Sequence, residues 1–514
     1  MMKRILTLLL VVCFNLTTPA GAPAQQIPYL SELLSRDEEF VRLCTEKRRA
    51  GANLSAIEPV RKRVEDAFKA GNIPGIIEAV SEGSALLTGK KWDDRQRFIS
   101  SLTLEVDRLV VEPNQALNVS LARMFPVNID KIFNSTPTVS FVVIPGERSS
   151  RGRDTTQPAP QIQPTIVAQS LPVAATSSNA TRRLLLADGA YDVVATVEAG
   201  GQKLAEIKRP IYAIGNFSDS LSQMTKKIAA LKSSGDVTLR TMAATPEFQL
   251  QRLAQLSRSR GDVPLNPPEE IDHIEAEITA LSRGENPFAK SRGEIELAYQ
   301  APDGALVPYR VYVPKSYDGA ASKPLVVMLH GALGDERSFF SGVFDPALIE
   351  GEAERRGYVL AGVSGRGRFA TYTGPSLDDV FEVTNAVTRD YKIDASRVYL
   401  LGHSTGAFGA WLVASSKPER FVAVAAVSGG PPAQGDALTQ MLGRLKGLPV
   451  LVVHGAQDGI VPVQFSRTIA AAAEKAGLKV SSLEVPDADH MSVVVSTFPA
   501  IMDFFDKNAK ADVK

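Results

Sequence analysis

Cysteine is nearly absent from this 514-residue chain, which contains only Cys13 and Cys44. Cys13 lies in an amino-terminal apolar run that has the features of a leader peptide. Its removal would leave Cys44 alone, so no disulfide is expected within the mature chain. Cys44 lies in a charged helical stretch with no histidine nearby in the sequence, which favours a minor core residue over a nucleophile. Stability must therefore come from packing.

The chain also lacks an excess of charge, with 57 Lys and Arg against 57 Asp and Glu. This balance gives no reason to expect nucleic acid or an anionic membrane as a partner. Histidine is scarce and forms neither an H-x-x-x-H pattern nor a cluster with cysteine, so no metal or other cofactor is predicted. The five histidines are His273, His330, His403, His454 and His490.

The amino terminus has the pattern of a secretory signal. Lys3 and Arg4 precede an apolar run over 5–14, and Ala22-Pro23-Ala24 offers a cleavage site before Gln25. The run is too short for a stable membrane span, and no later segment has the pattern of one. We therefore predict an exported protein, periplasmic or extracellular, with no stable membrane span after cleavage.

The length of the chain predicts several domains. After the signal peptide over 1–24, residues 25–101 have helical apolar spacing, and 102–215 form a β-rich, sandwich-like module. A flexible loop is expected at about 145–182, which is rich in proline, serine and threonine. A helical linker region over 216–290 follows. The remaining predicted regions are a domain over 291–508 and a tail over 509–514.

Gly200-Gly201 and Pro210 predict local features of the β-rich module. Gly200-Gly201 predicts a hairpin between two β-rich runs of the 102–215 module. Pro210 lies in the second run and predicts an edge strand or a break there.

Residues 291–508 alternate between short apolar runs and helix-like stretches. This pattern predicts a mostly parallel sheet covered by helices on both faces. Eight strands are expected, and the first two form an antiparallel hairpin around Asp303-Gly304. The eight runs are Ile295–Tyr299, Leu306–Val313, Leu325–Leu329, Tyr358–Val363, Val398–Leu401, Val422–Val427, Val450–Val453 and Val480–Val485.

Ser404 lies in a G-x-S-x-G sequence between an apolar strand and a helix start rich in small residues. This context is typical of a nucleophile elbow, in which a sharp turn exposes the serine hydroxyl. A serine hydroxyl needs an adjacent base, and His490 follows the last predicted strand. His454 also follows Ser404, but it closes a strand and is expected to shape the strand exit near the acid. Asp458 follows the preceding strand and suits the acid that orients the base, although an Asp before Gly also suits a plain turn. Asp487 and Asp489 are the alternative acids.

Residues 291–508 resemble an α/β-hydrolase of the esterase type. They are most similar to polyhydroxybutyrate-depolymerase-like and feruloyl-esterase-like proteins, and more loosely to the prolyl oligopeptidase catalytic domain. The likeness covers somewhat under half of the chain. It is carried by Leu329-His330-Gly331-Ala332-Leu333-Gly334, Gly402-His403-Ser404-Thr405-Gly406, His454-Gly455-Ala456-Gln457-Asp458 and Asp487-Ala488-Asp489-His490.

The oxyanion hole needs two backbone N–H groups aimed at the developing negative charge. Thr405, directly after Ser404, and Ala332, in the loop after the third strand, are the predicted donors. His330 is expected to be a structural hydrogen-bonding residue. Residues 365–368, with two arginines, suit either the substrate cleft or a solvated surface loop.

These residues predict a secreted serine esterase that forms an acyl-enzyme on Ser404 and takes a small-molecule or polymer ester. One alternative is a serine peptidase of the prolyl oligopeptidase type, although 25–290 shows no blade-like repeat. Another is a polymer-binding protein in which the 102–215 module does the binding and the hydrolase is accessory.

Overall fold

The computed structural model describes residues 29–146, 165–173, 177–257, 266–431 and 433–509. The predicted signal peptide and most of the predicted tail lie outside these ranges. The chain divides into two compact units, Ile27–Glu285 and Asn286–Lys514. We call them the amino-terminal unit and the carboxy-terminal unit.

The amino-terminal unit begins with helices. Asn72 caps the third of them by accepting a hydrogen bond from the backbone N–H of Gly75, and Pro74 occupies the first turn, where its missing N–H costs nothing. The helices are α1 (Leu30–Arg49), α2 (Glu58–Lys69), α3 (Ile73–Leu87) and α4 (Asp94–Ser101).

Eight strands follow and form two sheets. The orders are β1-β3-β6 and β2-β8-β7-β4-β5. In β4, Val139, Phe141 and Val143 are buried while their neighbours are partly exposed, which is the alternation of a strand with one face on a core. The strands are β1 (Leu102–Val106), β2 (Val110–Val111), β3 (Ala116–Arg123), β4 (Thr138–Pro145), β5 (Thr165–Pro172), β6 (Ser177–Arg183), β7 (Gly189–Ala199) and β8 (Gln202–Ala213).

The predicted hairpin at Gly200-Gly201 joins β7 to β8, and both glycines have positive φ. Pro210 lies inside β8 without breaking it. Because β2 pairs with β8 only at Tyr212 and Ala213, β8 has β7 as its single paired neighbour at Pro210 and is an edge strand there, where proline is tolerated.

The flexible loop expected over about 145–182 differs from the structure. Two strands, β5 and β6, lie within it. Each is the last strand of its sheet and pairs on one side only, so the proline in β5 and the polar sequence of β6 are compatible with a strand. Residues 147–164 and 174–176 lie outside the described ranges.

Helices close the amino-terminal unit, in the region predicted to be helical. They are α5 (Phe217–Lys232), α6 (Val237–Met242), α7 (Ala244–Gln255) and α8 (Pro267–Ser282). No helix in the described ranges is long and apolar enough to cross a membrane.

The carboxy-terminal unit contains one eight-stranded sheet of order β16-β15-β14-β13-β11-β12-β10-β9. β10 runs antiparallel to both of its neighbours, β9 and β12, and the six strands β11–β16 are parallel to one another. The strands are β9 (Gly293–Gln300), β10 (Leu306–Val313), β11 (Lys323–Leu329), β12 (Val359–Val363), β13 (Ile393–His403), β14 (Ala423–Val427), β15 (Val450–Gly455) and β16 (Val480–Val485).

Helices cover both faces of this sheet, because the central strands are apolar on both sides. Val327 and Leu329 of β11 belong to one buried cluster, and Val326 and Met328 to another. The helices are α9 (Pro346–Arg356), α10 (Pro375–Asp390), α11 (Thr405–Ser416), α12 (Gly435–Arg444), α13 (Val463–Lys475) and α14 (Ser492–Lys507). Because the strands β11–β16 are parallel, their carboxyl ends all lie on the same side of the sheet. The loops that carry the predicted site residues begin there.

Candidate active site

Ser404 occupies the sharp turn between β13 and α11. Its backbone has φ 55° and ψ −118°, a region that residues with a side chain rarely adopt and that costs about 1–3 kcal/mol. The turn is held because the Ser404 N–H donates to the Val427 carbonyl of β14 at 2.9 Å. A methyl group on Gly402 or Gly406 would overlap the carbonyls of Gly406 and Leu329. The G-x-S-x-G sequence thus has a steric reason here.

His490 lies between Ser404 and Asp458. Its Nε2 is 2.9 Å from the Ser404 Oγ, and its Nδ1 is 2.7 Å from Asp458 Oδ2. All three residues are buried, each with less than a tenth of its surface exposed. The structure thus brings the three predicted side chains together in the order hydroxyl, imidazole, carboxylate.

The other carboxylate oxygen of Asp458, Oδ1, is also held by hydrogen bonds. Oδ1 accepts the backbone N–H groups of Ile460 at 2.9 Å and Val461 at 2.8 Å, which leaves Oδ2 for His490. Burial opposes the charged carboxylate, but His490 and His454 outweigh it and hold the pKa of Asp458 well below its usual range. An ionised Asp458 requires the proton of His490 on Nδ1, so Nε2 is free to accept from Ser404.

The alternative acids lie elsewhere. Asp489 accepts the backbone N–H groups of Met491 at 3.1 Å and Ser492 at 2.8 Å, in the turn that leads into α14. Asp487 is exposed. His490 therefore has Asp458 as its carboxylate partner.

The loop after β11 approaches the nucleophile closely. A methyl group on Gly331 would lie 3.0 Å from the Ser404 Cβ and 3.2 Å from His403 Nδ1. Ala332 follows in this loop, and Thr405 is the first residue of α11, where N–H groups lack intrahelical partners. Both predicted N–H donors thus belong to segments beside Ser404.

The segment after β12 holds this loop in place, which the sequence did not indicate. The Tyr372 hydroxyl donates to the His330 carbonyl at 3.1 Å. The Arg368 guanidinium donates to the Leu333 carbonyl at 3.0 Å, and the Leu333 N–H donates to the Arg368 carbonyl at 2.5 Å. Arg366 instead pairs with the buried Asp379, its Nε 2.5 Å from Oδ2.

His330 is buried and contacts two carbonyl oxygens, those of Ser364 at 2.9 Å and Gly331 at 2.7 Å. This environment agrees with the structural hydrogen-bonding role expected for His330. Burial lowers the pKa of its ring.

His403 forms a hydrogen bond with the backbone of His490, the predicted base. Its Nε2 lies 2.9 Å from the carbonyl of His490, so Nε2 carries the proton. Burial, reinforced by the nearby His490, lowers the pKa of His403 to about 3. His403 is therefore neutral. Its position before Ser404 was the only sequence signal that it lies near the site.

The fold and this arrangement define the carboxy-terminal unit as an α/β-hydrolase with a hydrogen-bonded Ser–His–Asp series. Within the described ranges, no group of three or more His, Cys, Asp or Glu side chains is placed to hold a metal ion.

Comparison with known sequences shows that this α/β-hydrolase resembles esterases. Residues 380–509 match the family described as Phospholipase/Carboxylesterase. Over 130 residues the chain is 32% identical to feruloyl esterase B of Neurospora crassa, covering 23% of this chain and 42% of that protein. Over 169 residues it is 27% identical to the bifunctional acetylxylan esterase/xylanase XynS20E of Neocallimastix patriciarum, covering 32% and 23%. The chain thus spans less than half the length of these relatives.

Solved structures also overlap this chain, loosely. A thermostable esterase matches with a TM-score of 0.37 and 14% identity, covering 79% of this chain and all of that one. The feruloyl esterase module of Clostridium thermocellum matches with a TM-score of 0.36 and 16% identity, covering 45% and 93%. Overlaps at this level say nothing about activity.

Proposed function

We propose that this protein is a serine hydrolase that cleaves carboxylic esters through an acyl-enzyme on Ser404. The observation that carries the proposal is the continuous series of two short hydrogen bonds, 2.9 Å from Ser404 to His490 and 2.7 Å from His490 to Asp458. The similarity to the Phospholipase/Carboxylesterase family supports an ester as the substrate.

The proposed reaction follows from the positions of the protons. Ser404 Oγ attacks the ester carbonyl carbon as its proton passes to His490 Nε2, and Asp458 stabilises the resulting imidazolium. The carbonyl oxygen becomes an oxyanion, for which the N–H groups of Ala332 and Thr405 are the proposed donors. The ester C–O bond breaks, and the alcohol leaves with the proton from His490. Water then attacks the acyl carbon as its proton passes to His490 Nε2, the bond between that carbon and Ser404 Oγ breaks, and Ser404 takes the proton from His490 as the carboxylic acid leaves.

The names of the relatives suggest which esters to try first. Feruloyl and acetylxylan esters are named for the similar proteins, so we propose hydroxycinnamoyl or acetyl esters as the substrate class. A polymer that carries such esters fits the same proposal.

The test is hydrolysis by the purified protein of p-nitrophenyl acetate, methyl ferulate and an aminoacyl anilide. We expect the esters to be cleaved, with kcat/KM lower by about 10⁴-fold or more in Ser404→Ala. Ser415→Ala is the matched control, because Ser415 is buried in the same helix and donates to the Leu412 carbonyl. Full activity in Ser404→Ala would disprove the proposal, and cleavage of the anilide alone would favour a peptidase.

We also propose that the protein is exported. The support is the basic residues Lys3 and Arg4, the apolar run after them and the Ala22-Pro23-Ala24 sequence. Amino-terminal sequencing of the protein from an exporting host should give a start at Gln25. An intact Met1 would contradict this.

A further inference from the structure

A second imidazole contacts the carboxylate of Asp458. His454 lies near the end of β15, and its Nε2 is 3.0 Å from Asp458 Oδ2. The same oxygen is 2.7 Å from His490 Nδ1. Both His454 and Asp458 are buried, and the Asp458 carboxylate itself is fully enclosed. Two histidines therefore converge on one carboxylate oxygen.

The neighbours of His454 determine where its proton lies. Nε2 is also 2.8 Å from the Val461 carbonyl, which can only accept a hydrogen bond. Nε2 must therefore carry a hydrogen, which Val461 and Asp458 share. Nδ1 is 2.6 Å from the Ser466 hydroxyl of α13, a group that can donate or accept. The ring is thus held at both nitrogens with its Nε2–H directed at the acid.

Four N–H groups, from Ile460, Val461, His454 and His490, consequently lie within 3.0 Å of the Asp458 oxygens. Only the last belongs to the proposed base. The other three spread the negative charge of the carboxylate and orient its plane. Of these three, His454 alone is a side chain, so it is the one that substitution can remove.

We propose that His454 is a positioning residue that holds the Asp458 carboxylate toward His490 and limits how strongly that carboxylate favours the charged form of the base. The proposal rests on the proposed function, in which Asp458 orients His490. Without the His454 N–H, more charge would remain on Oδ2, and protonated His490 would be favoured. The acidic limb of the activity profile would then move to higher pH.

Other charged or titratable groups face this pair, and the variants below leave them unchanged. Glu484 of β16 lies opposite His454 in the strand register and pairs with Arg467, 2.8 Å from its Nε. The His403 ring centroid is 4.9 Å from that of His490. A shift that follows substitution of His454 is therefore assignable to the lost N–H.

The experiment compares two substitutions in the full chain. His454→Phe keeps a ring but removes the donor, whereas His454→Gln keeps an N–H near the position of Nε2. The readout is the rate of labelling of Ser404 by a fluorophosphonate from about pH 4 to about pH 9, which needs no known substrate. Ser466→Ala is the control, because Val461 still holds the proton on Nε2.

We expect His454→Phe to lower the labelling rate at neutral pH about tenfold and to move the acidic midpoint up by about half a pH unit or more. His454→Gln should restore the midpoint, and Ser466→Ala should leave it unchanged. A purely structural role would lower the rate without moving the midpoint. The proposal would be overturned if the acidic midpoint of His454→Phe did not move. It would also be overturned if His454→Gln showed the same raised midpoint as His454→Phe.

A double-mutant cycle separates this inference from the proposed function. Urea unfolding of His454→Phe, Asp458→Asn and the double variant should show less than additive losses, because both single variants break one contact. Additive losses would overturn the inference even if esters are cleaved. If the unmodified protein is not labelled at Ser404 and the losses are still less than additive, the proposed function is wrong and the His454–Asp458 contact stands.

Discussion

The two units of the chain differ in where they place strained backbone. Among the described residues, four with a side chain have positive φ in the amino-terminal unit and six in the carboxy-terminal unit. The first set is Tyr29, Asn114, Ser170 and Asn216, and the second is Leu333, Asp345, Arg366, Tyr372, Ser404 and Ser428. Asparagine tolerates this conformation better than leucine, arginine or tyrosine, and among the described residues of the amino-terminal unit Tyr29 is the one that belongs to the less tolerant group. Several of the costly positions surround Ser404, where surrounding contacts hold them.

The two units also differ in how their buried polar side chains are hydrogen-bonded. In the amino-terminal unit, buried Ser81 and Ser101 donate to backbone carbonyls of their own helices. In the carboxy-terminal unit, buried Ser404, His490 and Asp458 bond to one another. The first arrangement satisfies isolated polar atoms, whereas the second forms a path for a proton. The comparison teaches that burial and strain together, in one place, mark the candidate site.

The largest expected effect contrasts two aspartates. Asp458 and Asp188 each accept backbone N–H groups, Asp188 from Gly215 at 2.7 Å. Asp458→Asn should lower kcat/KM for an ester by about 10³–10⁴-fold, because the proton on Nδ1 of the base loses its charged partner. Asp188→Asn should leave kcat/KM unchanged. Equal activity of the two variants would remove the functional distinction between the units.

Acid should destabilise the carboxy-terminal unit more steeply. His403 has its pKa lowered to about 3, so below its ordinary 6.5 the unfolded chain binds more protons and stability falls with decreasing pH. The loss is at most about 1.4 kcal/mol per pH unit. Asp458, with its lowered pKa, contributes stability above the unfolded pKa near 4 and loses it as pH falls further.

The two tryptophans make this measurable, because Trp92 lies in one unit and Trp411 in the other. Urea unfolding monitored in Trp92→Phe reports the carboxy-terminal unit, and in Trp411→Phe the amino-terminal unit. His403→Gln keeps a donor but cannot titrate. The free energy of unfolding that Trp411 reports should therefore depend less on pH between about pH 6.5 and pH 4 in this variant. An unchanged slope in His403→Gln would contradict the assignment.

Two glycines contrast packing for function with packing for stability. Gly331→Ala places a methyl group 3.0 Å from the Ser404 Cβ and should lower kcat by about tenfold or more. Gly83→Ala would place one against the ring of Phe40 and should cost about 1–3 kcal/mol in the free energy of unfolding. Ester kinetics and urea unfolding of both variants check this. Loss of activity in Gly83→Ala alone would reverse the comparison.

The strain at Ser404 predicts a stability difference between two inactive variants. The free energy of unfolding of Ser404→Gly should exceed that of Ser404→Ala by about 1 kcal/mol, because glycine tolerates positive φ. The corresponding control is Asn216→Gly. Its free energy of unfolding should differ from that of the unsubstituted chain by only about a few tenths of a kcal/mol, because asparagine already tolerates positive φ. If Ser404→Gly is the less stable variant at position 404, the turn is not strained.

The smallest expected effect concerns the support of the loop after β11. Arg368→Ala removes one hydrogen bond to Leu333, so kcat should fall by about two- to tenfold with little change in KM. Arg182→Ala is the matched control, because Arg182 is exposed on β6 of the other unit. A kcat unaffected by Arg368→Ala would show that the loop does not depend on this contact.

Sequence patterns located all eight strands of the carboxy-terminal sheet, because strands buried on both faces are continuous apolar runs. Several strand boundaries differ from the predicted ones, most of all at β13. β13 begins at Ile393, earlier than the predicted Val398, since Ile393 pairs with Lys323 of the neighbouring strand β11. In the amino-terminal unit, β5 and β6 were missed because edge strands need not be apolar.

By itself the sequence determined the local features of this protein, namely the apolar strands, the small residues at the turn around Ser404, and the chain order of Ser404, Asp458 and His490. These depend on neighbours along the chain. The tertiary structure decided what depends on distant contacts: that Ser404, His490 and Asp458 are joined by hydrogen bonds, and that Tyr372 and Arg368 hold the loop beside Ser404. A hydrogen bond between residues far apart in sequence leaves no local pattern, and so only the folded chain reveals it.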